Sequence, residues 1–291
     1  MKVHAFKMGD YRHTHERQAF RKLCERLASS PADQEVYLIA NATIPDVEYK
    51  SPGRLKARAY RGVSPDIIVL KRDSVAVIEL KAYPGLITFP VDKDRLWESW
   101  TYEYDGVQGV INEGGASPYQ QVKDNGQAVQ AFLETYEPQF ADDESKNSRW
   151  YKLHKVILFS AANVRFASPP LDFWRGTTIA SLDSEAAAEY DITKYLSDLT
   201  TTPIHYKTDP RPQIHLSDKA IRAIVDILGA EEFSFALAEP STEQVLFPEY
   251  GIQPIVALGT RMVAASNGGE SQVKIPDSVL KEPTPLRVLR Y

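Results

Sequence analysis

Residues 64–81 read SPDIIVLKRDSVAVIELK, and this stretch decides how the chain folds. Two apolar, β-branched runs, 67–70 and 75–80, are separated by the polar residues 71–74, which is the pattern of two strands joined by a turn. We therefore predict an antiparallel hairpin. Strands this apolar are usually covered on both faces, so the hairpin belongs at the centre of a sheet.

Charged side chains lie at the open end of this hairpin. Because side chains alternate along a strand, Glu79 and Lys81 project from one face while Leu80 packs on the other. Asp66 opens the first strand, and its spacing from Glu79 brings the two carboxylates together across the hairpin. Two such carboxylates repel each other, and Mg²⁺ or Mn²⁺ relieves the repulsion. We expect Asp66, Glu79 and the backbone carbonyl of Leu80 to be metal ligands.

These residue types suit the hydrolysis of phosphodiester bonds. A metal held there can polarise a phosphate, lower the pKa of a bound water and stabilise the departing oxygen. Lys81 can hold the attacking water or compensate the negative charge of the transition state. The alternative is a solvated ion pair, since a Glu-x-Lys sequence at the end of a strand is common.

A helix predicted over residues 13–28, with Thr14 as its N-cap, carries a further acid. Glu16 lies four residues before Phe20 and seven before Leu23, so it points along the apolar face. A carboxylate there is costly unless it has a partner or a catalytic task, and Glu16 could bind the metal through a water. The alternative is that Glu16 reaches solvent at the helix end and favours the helix dipole.

The remaining elements alternate between strands and helices. A helix from Ser117 to about residue 136 presents Gln121 and Asn125 on one side. Short strands are predicted at 36–40, 85–87, 156–159 and 177–181, and an amphipathic helix at 217–228. This order indicates an α/β fold with a central mixed β-sheet flanked by helices. We place a main domain over residues 1–205 and a small C-terminal extension, helical and β-rich, over residues 206–291.

Positive charge is concentrated just before Asp66. The 291-residue chain has a net charge of −5, but residues 1–90 hold 15 Lys and Arg against 10 Asp and Glu. An acidic protein can bind nucleic acid through such a local basic segment. The residues predicted to contact DNA phosphates are Lys50, Arg54, Lys56, Arg58 and Arg61. A solvated basic loop is the alternative.

Several classes of protein are disfavoured. No apolar run has the length of a signal-peptide core or a membrane span, so we expect a cytoplasmic protein without a membrane partner. Cys24 is the only cysteine, which excludes an intrachain disulfide and a thiolate zinc cluster. His13 and His15 could bind a metal but fit better as helix-entry residues. The aromatic residues of segment 97–104 could stack nucleic-acid bases, although packing under an insertion is favoured.

The order of these motifs resembles the nuclease-related domain, NERD, a family of the PD-(D/E)xK nuclease superfamily. In that family a Glu on the first helix, matched by Glu16, precedes an acid that begins a hydrophobic strand, matched by Asp66. An apolar strand then ends in Glu-x-Lys, matched by residues 79–81, and a Gly-x-Ile step follows, matched by residues 85–87.

The resemblance continues downstream and covers roughly residues 10–200. An Asn-Pro-x-x-Gln helix opening is matched by SPYQQ at 117–121, and a hydrophobic strand ending in Phe is matched by residues 156–159. There are two departures: Ser117 stands where Asn is usual, and Asp66 follows Pro65 rather than the more common Glu-Ile. Neither departure removes an expected metal ligand.

The resemblance implies a restriction-endonuclease-like core and Mg²⁺-dependent cleavage, usually of DNA, in defence against foreign DNA or in repair. It also implies that Gln121, with Gln120 as the second choice, supports the active site. Because regions of this family are often fused to kinases, helicases or DNA-binding domains, a helicase, a kinase or another defence protein is an expected partner. Two alternatives stay open: a catalytically silent DNA-binding or sensing module that acts through a partner, and a structural subunit of a defence complex, for which self-association into a homo-oligomer is the expected sign.

Overall fold

The computed structural model describes residues 1–11, 13–49, 58–90, 92, 94–146, 148, 150, 153–167, 176–183, 188–199, 214–235, 255–258, 261–266 and 269–273. The chain divides into two compact units, residues 1–238 and residues 239–291. Strands of the first unit are β1 Lys2–Lys7, β2 Glu35–Ala40, β3 Val47–Tyr49, β4 Arg58–Tyr60, β5 Ile67–Leu70, β6 Val75–Lys81, β7 Gly85–Thr88, β8 Thr101–Tyr104, β9 Val107–Val110, β10 His154–Phe159, β11 Val164–Phe166, β12 Thr177–Ser181 and β13 Glu231–Glu232. Its helices are α1 Thr14–Ala28, α2 Pro118–Phe140, α3 Ile192–Asp198 and α4 Asp218–Leu228.

A seven-stranded sheet in the order β12-β10-β6-β5-β2-β1-β13 forms the centre of the first unit. Strand β5 is antiparallel to both of its neighbours, whereas β6, β10 and β12 run parallel to one another. One face packs on α1 and α3, and the other face packs on α2 and α4. The predicted α/β class with a mixed sheet between helices is confirmed, and the arrangement is consistent with a restriction-endonuclease-like core.

The predicted hairpin is confirmed as β5 and β6. These strands pair antiparallel in a register that sets Ile67 opposite Ile78 and Leu70 opposite Val75, and all their residues are buried. Alternation divides their side chains between the two faces of the sheet: Ile67 and Ile78 enter the core under α1, while Leu70 and Val75 enter the core under α2. The hairpin therefore joins the two cores.

Both long helices differ slightly from the predicted limits. The N-cap of α1 is His13 rather than the predicted Thr14, because His13 keeps an extended backbone and its N–H donates to the side chain of Glu16. Helix α2 continues past residue 136 to Phe140, with Pro138 in its last turn. Burial of Phe140 against Trp150, with ring centroids 5.6 Å apart, favours this extra turn although Pro138 donates no backbone hydrogen bond.

A second sheet packs against the beginning of α2. Its order is β11-β7-β8-β9, and β7 begins four residues after β6 ends. Ile87 of β7 and the buried Trp100 share a core with Tyr119 and Val122 of α2. The segment that follows Lys81 therefore packs beside the first turns of α2.

The C-terminal part of the chain contributes to both units. The predicted boundary between residues 205 and 206 lies outside the described residues. Helix α4, predicted at 217–228, buries Ile221 and Ile224 in the same core as α2, and β13 pairs antiparallel with β1. In the second unit, β14 Ile255–Leu258, β15 Arg261–Ser266 and β16 Gly269–Val273 form an antiparallel sheet. No helix in the described part of the chain is both long and apolar enough to cross a membrane.

Replacing Ile224 by Ala tests whether α4 belongs to the main core. Loss of this buried side chain should lower the free energy of unfolding by about 2–5 kcal/mol, measured by urea denaturation. Asp226→Ala, on the exposed side of the same helix, should change it by less than about 0.5 kcal/mol. Equal effects of the two substitutions would show that α4 is not part of the core.

Candidate active site

Glu79 and Lys81 form a buried ion pair at the end of β6. The exposed fractions of the two residues are 8% and 5%, and Lys81 Nζ donates to Glu79 Oε1 at 2.9 Å. Their shared face follows from strand alternation, as predicted. The alternative of a solvated edge pair does not describe this site, because both groups are removed from water. Buried charges of this kind are costly unless other groups also bind them.

Asp66 lies directly before β5, at the end of the strand that is nearest to Glu79 of β6. Continuing the pairing of Ile67 with Ile78 by one residue places Asp66 opposite Glu79. The backbone N–H of Leu80 donates to Asp66 Oδ2 at 2.6 Å, which fixes the carboxylate beside β6. Since the N–H and C=O of a strand residue point the same way, the Leu80 carbonyl is also directed to the side of Asp66.

The first turns of α2 supply amide side chains to the site. Asn125 Nδ2 donates to Glu79 Oε2 at 2.8 Å, so the two oxygens of Glu79 are bound by Asn125 and Lys81. Gln121 lies one helical turn earlier, and its Oε1 accepts from Asn112 Nδ2 at 2.9 Å. The structure thus gives Asn125, rather than Gln121, the direct contact with the acid. The supporting role of Gln121, or of Gln120, stays a prediction.

Glu16 approaches from the opposite face of the sheet. Its Oε2 accepts from the backbone N–H of His13 at 3.3 Å, and the side chain also lines a small cavity together with Asp66. Each of the two hypotheses for Glu16 therefore agrees with one of its contacts. Glu16 bonds to the N-cap of α1, and it also lies beside Asp66.

Burial and the neighbouring Glu79 carboxylate raise the pKa of Asp66 well above its usual range. The positive charge of Lys81 and the hydrogen bond from Leu80 oppose this rise, and Glu16 adds to it. The side chains of Asp66, Glu79, Lys81 and Glu16 are therefore close enough to influence one another electrostatically. The site consequently favours a positive charge near Asp66.

The donor set fits a hard divalent cation. Two carboxylates and one backbone carbonyl are oxygen ligands of the type that Mg²⁺ prefers, and Mg²⁺ normally keeps several waters in addition. Among the described residues, no group of three or more His, Cys, Asp and Glu side chains could hold a metal. The proposed ligand set, Asp66, Glu79 and the Leu80 carbonyl, has only two such side chains, and metal binding there stays a prediction.

The basic segment before Asp66 is only partly described. Lys50, Arg54 and Lys56 lie outside the described residues, as does the side chain of Arg58, while Arg61 is exposed just after β4. Strands β3 and β4 pair antiparallel, and Tyr60 Oη donates to Gln127 Oε1 of α2 at 2.6 Å. Strand β4, within this segment, is thus attached to the helix that carries Asn125. Contacts with phosphate stay a prediction.

The four aromatic residues of segment 97–104 divide into two groups. Trp100 and Tyr102 are buried in the core of the second sheet, as packing residues. Trp97 and Tyr104 are 51% and 38% exposed. Packing therefore accounts for half of this group.

Comparison with protein families identifies the chain. The model of the nuclease-related domain, NERD, matches residues 13–160. The chain belongs to the NERD family. No curated protein and no solved structure matches it. Every candidate catalytic residue of this NERD chain lies within the matched span, from Glu16 to Asn125, whereas β1, α4 and β13 lie outside it.

Replacing Asp66 by Asn should stabilise the metal-free protein at pH 7. The pKa of Asp66 is higher in the folded than in the unfolded state, so ionisation favours unfolding. The gain should be present at pH values above the folded pKa and should vanish as pH falls below about 3.9, the ordinary Asp value. Thermal unfolding in EDTA across this pH range measures it.

The control for this experiment is Asp94→Asn, which changes an exposed carboxylate. It should leave the thermal midpoint unchanged at pH 7. A lower midpoint for Asp66→Asn than for the parent protein at pH 7 would contradict the assignment of a destabilising, buried carboxylate.

Proposed function

We propose that this NERD chain is a metal-dependent nuclease that hydrolyses phosphodiester bonds of DNA, in defence against foreign DNA or in repair. One observation carries the proposal: a sheet register sets Asp66 opposite Glu79, with Lys81 2.9 Å from Glu79, in a place closed to bulk water. A purely structural ion pair does not require the second acid. Asp66 adds the repulsion between two carboxylates to the cluster, and a bound cation would remove that repulsion.

Mg²⁺ or Mn²⁺ would be held by Asp66, Glu79 and the Leu80 carbonyl, and when bound it polarises the phosphate and lowers the pKa of a water. The protein's own groups set the geometry. Leu80 N–H orients Asp66, and Asn125 orients Glu79 through the oxygen that Lys81 does not use. Such supporting hydrogen bonds tune the affinity of a metal site strongly.

Lys81 has two tasks in the proposed reaction. Its ammonium group neutralises Glu79 before substrate binds, which lowers the cost of burying that carboxylate. When a phosphate enters, the same group can turn to the attacking water or to a phosphate oxygen, where it stabilises negative charge in the transition state. A buried lysine is suited to this task because its charge is weakly screened by solvent.

DNA is the substrate that the family and the charge distribution favour. The basic residues lie between β3 and β4, in β4 and just after it, and Tyr60 of β4 bonds to α2, the helix that also contacts Glu79. Contacts of Lys50, Arg54, Lys56, Arg58 and Arg61 with phosphates would hold a strand across the site. This electrostatic binding would be independent of sequence and would weaken as salt is raised.

Cleavage of plasmid DNA with Mg²⁺, Mn²⁺ or EDTA tests the proposal. The parent protein should cut only with a divalent metal, and Lys81→Met should lower the rate at least about 100-fold because a transition-state charge is lost. Lys194→Met, at an exposed position on α3, should cut like the parent. Salt-dependent DNA binding without cleavage under either metal would instead support a silent binding module.

Asn125→Ala separates orientation of Glu79 from general stability. Loss of the Asn125 amide should lower the cleavage rate about 10- to 100-fold at saturating DNA while the KM for DNA stays near the parent value. Asn125→Gln, which keeps an amide, should recover part of the rate. A rate equal to that of the parent for Asn125→Ala would show that the hydrogen bond to Glu79 does not support catalysis.

A further inference from the structure

Tyr11 lies in the connection between β1 and α1, two residues before the span that matches the NERD family. Its hydroxyl is buried and has no hydrogen-bond partner among the described residues. A buried hydroxyl without a partner is costly, and such groups normally bind a water or serve a function. The place to which this hydroxyl points is therefore informative.

Tyr11 lines a small cavity together with two acids, Glu16 and Asp66. The polar residues of the lining are Tyr11, Glu16, Asn41 and Asp66, and the apolar ones are Phe20, Ile67 and Leu80. The centre of a water-sized sphere can occupy a volume of about 10 Å³ in this cavity. This volume corresponds to a single water site. A buried water needs two to four polar partners, and the polar lining supplies them.

Asn41 fixes the backbone on both sides of this cavity. Its side-chain amide donates to the carbonyls of Met8 and Asp10 at 2.8 Å each, which holds the segment leading to Tyr11. Its backbone N–H donates to the Asp66 carbonyl, also at 2.8 Å. A single residue thus links the position of Tyr11 to the position of Asp66.

Phe233 holds the ring of Tyr11 from the C-terminal side. The two rings meet edge to face with centroids 6.3 Å apart, and Phe233 also packs on Phe20 at 5.2 Å. The Phe233 N–H donates to the Ala5 carbonyl, directly after β13 pairs with β1. Phe233 therefore packs on two of the rings that line the cavity, although it lies far beyond the family match.

We infer that Tyr11 is a positioning residue, and that its hydroxyl donates a hydrogen bond to one water shared with Glu16 and Asp66. A phenol can donate to a water that in turn donates to two carboxylates, so the Tyr11 hydroxyl gains the partner that it otherwise lacks. Burial raises the pKa of Tyr11 above its usual value, which keeps the hydroxyl protonated and able to donate. The water would fix the orientation of Asp66 and connect Glu16 to it.

The connection to catalysis rests on the proposed function, whereas the hydrogen bond itself does not. If Asp66 binds a metal, a group that orients Asp66 controls the affinity for that metal. Tyr11 would then extend the site from the family's own residues to the N-terminal strand and, through Phe233, to the segment after α4.

The first arm of the test uses metal-free protein. Tyr11→Phe should lower the thermal midpoint by about 2 °C, because the shared water loses its donor. Tyr136→Phe, at a half-buried position on α2, is the matched control and should leave the midpoint unchanged. A higher midpoint for Tyr11→Phe would mean that the hydroxyl is an unsatisfied group, and would overturn the inference.

The second arm measures Mn²⁺ binding by calorimetry. Tyr11→Phe should weaken the affinity for Mn²⁺ about 10-fold, whereas Tyr136→Phe should bind like the parent. Equal affinities for the parent and Tyr11→Phe would overturn the positioning role. If the parent binds Mn²⁺ but cuts no DNA, the proposed function fails while these two readouts still decide the role of Tyr11. A parent protein that binds no Mn²⁺ would overturn the proposed function and the effect of Tyr11 on a metal, while the thermal midpoints would still decide the hydrogen bond of Tyr11.

Discussion

Two carboxylates held against each other by a strand register are the constraint on which this molecule depends. The hairpin of β5 and β6 sets Asp66 opposite Glu79, and the pairing of these strands at the centre of the sheet fixes the backbone positions of both acids. Their repulsion is balanced locally by the ammonium of Lys81, the N–H of Leu80 and the amide of Asn125. The free-energy cost of the repulsion that remains is offset by the packing of the cores on both faces of the sheet. A bound cation would remove this repulsion, so cation binding would be favourable.

The two faces of the sheet contribute differently to this cluster. From the side of α2 come a neutral amide and, further along, the strands that bear the basic segment. From the side of α1 come Glu16 and the cavity that it shares with Asp66. In the function that we propose, the α2 side would meet the substrate and the α1 side would orient the acid. The family match covers both helices, but the paired strands β1 and β13 and helix α4 complete the same compact unit from outside it.

The hairpin and its charged end could be predicted because they depend on local rules. Alternation alone puts Glu79 and Lys81 on one face, and the apolar run alone makes their strand central. The resemblance favoured Gln121, and the contact of Asn125 with Glu79 was not predicted, because both residues lie on one side of α2 and only the packing of that helix on the sheet decides which amide reaches Glu79. Tyr11 was beyond prediction for a similar reason: its surroundings come from Asn41 and Phe233, which are distant in sequence.

A crystal structure grown with Mn²⁺, with the ion located by its anomalous scattering, tests the central claim most directly. The account predicts one ion bound by oxygens of Asp66 and Glu79 and by the Leu80 carbonyl at about 2.0–2.2 Å, with water in the remaining positions. In the same structure Lys81 should have left Glu79 to face the bound water. A structure at saturating Mn²⁺ in which Lys81 still pairs with Glu79, and no ion lies between Glu79 and Asp66, would contradict the account.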